Sequence, residues 1–441
     1  MAINPNKTIN HITDHFLFDG HPVSCIPFGN GHINYTFIVT TSTNKKYILQ
    51  EINTNIFTDP NLLMSNMVMV TKQLKKVNKQ GNTLEVIPTK TGGSYFLDAT
   101  QKAWRVLNYF DDHCVFDKAP NTELAYEGAK MFGKFTNDLS VIAPQKIKAV
   151  IPDFHHMTTR LNQLQSALKN AEPLKLNETK SLLEFVDKHK VKMCTLDNLF
   201  AKNKLKQRIT HNDTKFNNVL FDSNHKGLCV IDLDTVMPGY LHYDFGDGVR
   251  TAVSTSEEDE TDLSNITFDL FKLEAYTKGY LESTRTILND TEKETLSLSV
   301  AIMPFIMGVR FLTDYLNNDK YYKIKYNYHN LDRSKAQLHL ANEGLKFQEQ
   351  INGSKLHLIQ FSASWCGPCQ QLKPIIEKIS NDMADKIDCY YHDIESQPNE
   401  PTKYSVRGVP TVLLFKGGKL VGTKVGATSE KDMLEFIQPH I

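Results

Sequence analysis

Two groups of residues in this 441-residue chain have the types and spacing to do chemistry. The first lies in ITHNDTKFNNVLFD and the following LCVIDLD, and comprises His211, Asp213 and Asn218, then Asp232 and Asp234. A carboxylate, an amide five residues later and another carboxylate at the end of a β-hairpin are what phosphoryl transfer requires. One Asp orients the attacking hydroxyl and takes its proton, while Asn and the second Asp hold Mg²⁺ across the nucleotide phosphates. Catalysis of that kind is mostly positioning and charge neutralisation, so few residue types suffice. Taken singly, Asp213 and Asn218 read as turn caps and Asp232 as a strand end; the ordered set carries the reading.

The second group is Cys366-Gly-Pro-Cys369 in FSASWCGPCQQLKP, between a buried-strand pattern and a helix. At a helix N-terminus the dipole and free N–H groups stabilise a thiolate, which makes the first cysteine an attacking nucleophile. The alternative is half of a zinc site, whose second half would come from distant cysteines or histidines. Trp365 before the pair and Val409-Pro410 downstream favour the redox reading.

The elements that position these groups follow from periodicity and punctuation. NYTFIVTT and KKYILQEI, separated by Thr41 to Asn44, predict a hairpin. Asp59-Pro60 opens a helix whose apolar stripe is Leu62, Leu63, Met67, Val70, Leu74 and Val77. LEVIPT, GSYFLDA and KAWRVLNYF read as three further strands, with Gly92-Gly93 as a turn. From Glu123 to about Lys206 the pattern is mostly helical, and helices resume after the acidic stretch Glu257 to Asp262, which reads as a solvated helix start. At Gly353 the grammar changes to a compact α/β unit: strand KLHLIQFSA, helix QLKPIIEKISNDM, strand IDCYYHDI and a hairpin around Gly417-Gly418.

The first group and its surroundings resemble the aminoglycoside phosphotransferase and choline kinase superfamily, relatives of protein kinases with a His-x-Asp-x-x-x-x-Asn loop. Within it the similarity is closest to bacterial N-acetylhexosamine 1-kinases, over about residues 10 to 350. It is carried by FGNGHINYTFIVTT, KKYILQEINTNIF, AWRVLNYFDD, THNDTKFNNVLFD, VIDLDTVMPG, YDFGDGVRTA and GVRFLTDYLNND. The resemblance implies an α+β two-lobed protein-kinase-like fold, with a small antiparallel-sheet N-lobe over residues 1–110 and a mostly helical C-lobe over 111–352. It implies ATP and Mg²⁺, Asp213 as catalytic base for a sugar's anomeric hydroxyl, and Asn218 and Asp232 as metal ligands, with Asp234 as a less certain neighbour. Gly29, Asn30 and Gly31 would form the turn covering the phosphates, and Leu107, Asn108 and Tyr109 the hinge whose backbone reads adenine. His32, Arg310 and Tyr321 would contact the N-acetylhexosamine, with Asp213 and Asp232 also reaching its hydroxyls. Arg310 follows the apolar run IMPFIMGV, and a buried guanidinium must be paired. A protein kinase places a Lys on its third strand for the phosphates; here YILQEI has Gln50 and Glu51, so the phosphate cation is unidentified.

Residues 353–441 resemble thioredoxin, which implies Cys366 as nucleophile, Cys369 as resolving thiol, Pro410 as the cis-proline beside them and Trp365 as support. Thioredoxins usually carry a buried Asp six residues before the first cysteine; here it is Gln360, and an amide takes no proton. The residues before Leu356, SKAQLHLANEGLKFQEQING, read as the preceding unit's last helix, so this α/β domain looks trimmed of its first β-α unit. We expect the edge left open to be covered by the first unit or its terminal helix.

Composition excludes some classes. Lys+Arg and Asp+Glu number 50 each, and residues 353–441 contain 10 of each, so neither part hides a charged patch. That argues against nucleic acid or a polybasic membrane contact as partner. No basic leader with an apolar run opens the chain, which makes a cytoplasmic location the default. Of seven cysteines five are scattered without ligand spacing, so a disulfide framework is not expected. The expected function is an ATP- and Mg²⁺-dependent kinase making a GlcNAc or GalNAc 1-phosphate, fused to a dithiol domain served by a thioredoxin reductase or a disulfide client. The alternatives are a kinase for choline, homoserine or an aminoglycoside, a disulfide reductase using the kinase-like part as a platform, and a dithiol that regulates the kinase.

Overall fold

The computed structural model describes residues 11–29, 33–78, 82–352, 355–395, 401, 404–417 and 419–441. The chain divides into two compact units, Met1–Asn342 and Glu343–Ile441.

The first unit opens with an antiparallel sheet. Its strands are β1 (Pro22–Pro27), β2 (Tyr35–Thr41), β3 (Lys46–Ile52), β4 (Val86–Ile87), β5 (Phe96–Leu97) and β6 (Ala103–Asn108), in the order β1-β2-β3-β6-β4 with β5 also on β6. The expected hairpin is β2-β3, and the three further strands exist, two of them only two residues long. Alternation buries Val39, Leu49, Trp104 and Val106 with Ile12 and Phe16 on one face. Helix α1 (Pro60–Val77) starts where Asp59 accepts the Leu62 N–H at 2.9 Å. Its buried stripe is Leu63, Met64, Met67, Val70 and Leu74; Val77, expected inside, is exposed at the last turn.

The rest of this unit is mostly helical: α2 (Thr122–Leu139), α3 (Met157–Leu168), α4 (Pro173–Glu178), α5 (Lys180–Met193), α6 (Thr195–Ala201), α7 (Leu241–Ala252), α8 (Leu270–Thr284), α9 (Asp290–Thr295), α10 (Ser299–Leu316) and the first part of α11 (His329–Asn352), whose residues from Glu343 count with the second unit. Helices α2 and α8 touch backbone to backbone because Gly279 has no side chain; a Cβ there would lie 2.1 Å from the Tyr126 carbonyl oxygen. Asp290–Leu316, the stretch long and apolar enough to cross a membrane, is mostly buried and forms the core that α10 runs through. Two small ribbons interrupt the helices: β7 (Arg208–Thr210) with β10 (Met237–Gly239), and β8 (Val219–Phe221) with β9 (Gly227–Val230).

The acidic stretch differs from the expectation. It is a loop rather than a solvated helix start, because its carboxylates find cations elsewhere in the fold. Glu258 pairs with Arg250 at 2.7 Å, and Asp259 accepts from His329 Nε2 at 3.0 Å. Asp262 only caps the short turn Leu263–Asn265.

The second unit is a four-stranded sheet, β12-β11-β13-β14, built from β11 (Leu356–Ser362), β12 (Ile387–Asp393), β13 (Thr411–Lys416) and β14 (Lys419–Val425). Strand β11 runs parallel to β12 and antiparallel to β13. Helices α12 (Gly367–Asp382) and α13 (Glu430–Ile437) cover a core of Leu356, Leu358, Leu372, Ile376, Leu414, Met433 and Ile437. Among the described residues no strand precedes β11 in this sheet, and β12 and β14 form its edges.

Candidate functional site

The loop carrying Asp213 is held by one carboxylate that the sequence reading did not single out. Asp244, fully buried in the first turn of α7, accepts the His211 N–H at 2.9 Å and the Asn212 N–H at 2.7 Å. These bonds support Asn212 in the left-handed region at φ 62°. Burial pushes the Asp244 pKa up to about 6 against the pull of His211 and the two backbone donors. The sequence signal was present: a carboxylate in YDFGDGVR that stands among apolar residues at a helix start. His211 itself is structural, its Nε2 bonded to the Ile231 carbonyl at 2.8 Å, which ties the Asp213 loop to the strand leading into Asp232.

Asp213 is partly exposed and Asn218 beside it is nearly buried. Asn218 Nδ2 donates to the Asp213 carbonyl at 2.9 Å and lies 3.5 Å from Asp213 Oδ2. Lys215 Nζ is 3.3 Å from Asp213 Oδ1, and that carboxylate keeps the ammonium charged. Asp232 follows β9 with φ 58° and ψ 61° and is exposed. Its pKa is raised by desolvation and then by the carboxylates of Asp234 and Asp213.

These residues fit a hard divalent cation. With Nδ2 engaged, no described donor hydrogen-bonds either the Asn218 carbonyl oxygen or the Asp232 carboxylate. Among the described residues no three His, Cys, Asp or Glu side chains converge on one point. A site with one carboxylate and one amide oxygen suits Mg²⁺, which keeps waters and takes phosphate oxygens as further ligands.

Asp234 has a different place. Its Oδ2 accepts from Arg105 Nη2 at 2.9 Å and from Asn34 Nδ2 at 2.7 Å, and its Oδ1 accepts from Arg105 Nη1. Arg105 stands opposite Gln50 on the adjoining strand, and Gln50 Oε1 accepts from Arg105 Nε at 2.9 Å and from Nη2 at 2.8 Å. A cation therefore does occupy the region of the third strand, but it comes from β6, is 1% exposed and is neutralised by Asp234. Sequence reading passed over Arg105 because an Arg inside an apolar strand has no motif.

Of the nucleotide-facing residues, Gly29 is described, with φ 73°, while Asn30, Gly31 and His32 lie outside the described residues. Asn108 uses its side chain structurally, accepting the Glu85 N–H at 2.7 Å and donating to the Thr83 carbonyl at 3.1 Å. Its backbone N–H bonds Glu85 O at 3.1 Å. Leu107 is buried in β6, and the Tyr109 ring meets Phe28 edge-on at 6.0 Å.

Arg310 corrects an expectation. Its guanidinium is half-buried, and among the described residues no carboxylate pairs with it. It stacks instead on Phe154 at 4.7 Å and Tyr322 at 5.6 Å, where the π faces replace a counter-ion. Phe154 adjoins the ring of buried His155 at 4.4 Å, and His155 Nε2 bonds the Asn212 carbonyl at 2.8 Å, so Arg310 connects through packed rings to the residue before Asp213. The Tyr322 hydroxyl beside it is buried without a hydrogen-bond partner. Tyr321 is 51% exposed and held by its backbone N–H on Asp314 at 2.9 Å.

In the second unit Cys366 caps α12 and forms a disulfide with Cys369, whose N–H points at Cys366 Sγ from 3.2 Å. Val409-Pro410 is cis, and Val409 packs with Ile394 around the pair; Trp365 is exposed. Gln360 is fully buried, donates from Nε2 to the Cys369 carbonyl at 3.2 Å and leaves Oε1 without a partner.

Residues 24–279 match the phosphotransferase enzyme family, and residues 338–439 match thioredoxin. The second match begins inside α11, so the last turns of that helix count with the thioredoxin segment. Curated relatives agree. Thioredoxin of Acidithiobacillus ferridurans is 39% identical over 108 residues, covering 24% of this chain and 99% of that protein. Thioredoxin of Rickettsia bellii is 42% identical over 96 residues, covering 22% of this chain and 91% of that protein. With the Asp213 loop, the Asp232 turn and the sheet above them in one unit, and the Cys-Gly-Pro-Cys helix start in the other, the chain belongs to the phosphotransferase enzyme family and carries a C-terminal thioredoxin domain.

Proposed function

We propose that the first unit is an ATP- and Mg²⁺-dependent sugar 1-kinase acting on N-acetylhexosamines, GlcNAc or GalNAc. Asp213 orients the anomeric hydroxyl and takes its proton as the oxygen attacks the γ-phosphorus. Asn218 and Asp232 would hold Mg²⁺, which supplies charge neutralisation across the phosphates. Lys215, ion-paired with Asp213 at 3.3 Å, would supply positive charge beside the base. Leu107 and Tyr109 would border the adenine, and the Gly29 turn would cover the phosphates.

The observation that supports a sugar acceptor best is the character of the wall beside Asp213. It presents the Arg310 guanidinium, which among the described residues has no carboxylate partner and so keeps donors for neutral oxygen-rich groups. A cationic acceptor would call for carboxylates beyond those of Asp213 and Asp232, yet Glu258 is committed to Arg250. Against the desolvation of its site, Arg250 and then Lys215 and Arg333 hold Glu258 ionised below the usual range. Choline and aminoglycosides are thereby the weaker reading.

The second unit acts in this reading as a cytosolic dithiol-disulfide module, with Cys366 as nucleophile and Cys369 as resolving thiol, kept cycling by a thioredoxin reductase. ADP release measured over a panel of free sugars and amino alcohols, under reducing and oxidising conditions, tests both parts. Turnover with N-acetylhexosamines alone supports the kinase reading; turnover confined to choline, homoserine or aminoglycosides refutes it. A rate that changes with redox state would make the dithiol regulatory.

A further inference from the structure

Asp232 and Asp234 sit two residues apart and are treated oppositely by the fold. Asp232 is exposed, in a left-handed conformation, with no hydrogen-bond donor among the described residues. Asp234, in the turn Leu233–Thr235 that follows, is 4% exposed and receives donors at both oxygens. Those donors come from separate parts of the sheet. Arg105 belongs to β6 and is itself gripped by Gln50 of β3. Asn34 stands just before β2, its Oδ1 accepting the Asn53 N–H at 3.0 Å. Gln50 is tied on to Thr36 at 3.1 Å. Arg105 Nη1 also points at Met67 Sδ of α1 at 3.9 Å. Three strands or their ends therefore meet at one carboxylate on the turn that carries Asp232.

We propose that the Arg105–Asp234 pair is a positioning device for the metal ligand Asp232: it locks the turn so that the Asp232 carboxylate is aimed into the cleft before metal and nucleotide arrive. Buried bidentate pairs are rigid, and a non-glycine residue in the left-handed region persists only where its surroundings hold it. Arg105 does not touch the phosphates, since it is buried and neutralised; it acts through Asp234. The place of the strand lysine is thus filled by a structural cation that organises the metal ligand. This inference rests on the phosphotransferase reading of Asp232, and the test separates the two.

The test uses Mn²⁺ as probe, titrated by electron paramagnetic resonance into the full-length protein with a non-hydrolysable ATP analogue, without acceptor. Three variants are compared: Arg105→Met, Arg105→Lys, and the double variant Arg105→Met/Asp234→Leu, which leaves no unpaired buried charge. Supporting residues behind a metal ligand typically contribute about 10- to 100-fold in metal affinity or activity, and a loss in that range is expected for all three. The double variant is expected to regain the wild-type melting temperature while its Mn²⁺ affinity stays weak, because stability and aiming are then uncoupled. If Arg105→Met fails to fold, Arg105→Lys and the double variant carry the comparison. Wild-type Mn²⁺ affinity in the folded double variant overturns the proposal. Failure of the wild type itself to bind Mn²⁺ with nucleotide, or loss of no affinity in Asp232→Asn, overturns instead the reading of Asp232 as a ligand.

Discussion

Asn218 Nδ2 holds the Asp213 carbonyl at 2.9 Å, so the candidate base and a candidate metal ligand are fixed to each other by one side chain. Among the described residues the carboxylate of Asp213 touches only Lys215 and, at 3.5 Å, Asn218. Function rather than stability therefore depends on it. Asp213→Asn is expected to lower kcat by about 10²- to 10⁴-fold, the usual contribution of a general base, with a melting temperature close to wild type. Near-normal turnover in that variant would remove Asp213 as base.

Asp244 is predicted to behave in the opposite way. Asp244→Ala leaves the His211 and Asn212 N–H groups buried and unpaired, at a cost of about 1–3 kcal/mol for each. Thermal melts should show a large loss of stability in step with the loss of activity. A variant that melts like wild type but is inactive would reassign Asp244 to the chemistry.

Acid lability follows from two buried histidines. His155 is pushed down to about 3 by burial and then by Arg310, and His242 to about 4 by burial. Both are neutral in the folded protein at pH 6.5, whereas the unfolded chain takes up protons there. Stability therefore falls as pH drops below about 6.5, by up to about 1.4 kcal/mol per pH unit for each histidine. Urea unfolding between pH 7.5 and 5 should show this slope, and it should be shallower in His242→Gln. A flat profile would mean that these rings are protonated in the folded state.

How much of this was legible in the sequence depends on whether the residue acts through local pattern or through a distant partner. Asp213, Asn218 and Asp232 lie within one loop-hairpin segment, so their spacing could be read locally as a candidate site. The hairpin β2-β3 and helix α1 carried their own turn and cap signals. Arg105 and Asp244 were missed because their partners, Asp234 and the His211-Asn212 backbone, are far away in sequence or are main-chain groups. The acidic stretch was misread for the same reason, since Arg250 and His329 lie outside any local window. The unpaired state of Arg310 was likewise illegible: two aromatic rings stand where a carboxylate was expected.

Arg310→Met keeps much of the side-chain volume and removes the charge. If the guanidinium binds the acceptor, its loss removes a charge-assisted hydrogen bond of about 1.5–3 kcal/mol, which raises the acceptor KM roughly 10- to 100-fold. The KM for ATP should stay near wild type, because the effect is confined to the acceptor side. Equal changes in both constants would argue for a general distortion of the cleft.

The dithiol is tested by Cys366→Ser, which should abolish disulfide reduction in an insulin-type assay. Gln360→Asp places a proton acceptor beside the Cys369 backbone, where Gln360 now donates at 3.2 Å. Faster disulfide reduction at neutral pH is expected, since a carboxylate can take the thiol proton and an amide cannot. An unchanged rate would show that proton transfer to Cys369 does not limit turnover.

The central claim concerns the bond that is made. Wild-type protein and Asp213→Asn, each incubated with ATP, Mg²⁺ and either GlcNAc or GalNAc, can be followed by ³¹P nuclear magnetic resonance with two-dimensional ³¹P–¹H correlation. The account predicts a phosphate coupled to the anomeric proton in the wild-type reaction and none with Asp213→Asn. A phosphate on any other hydroxyl, or no sugar phosphate while another small alcohol is phosphorylated, would contradict it.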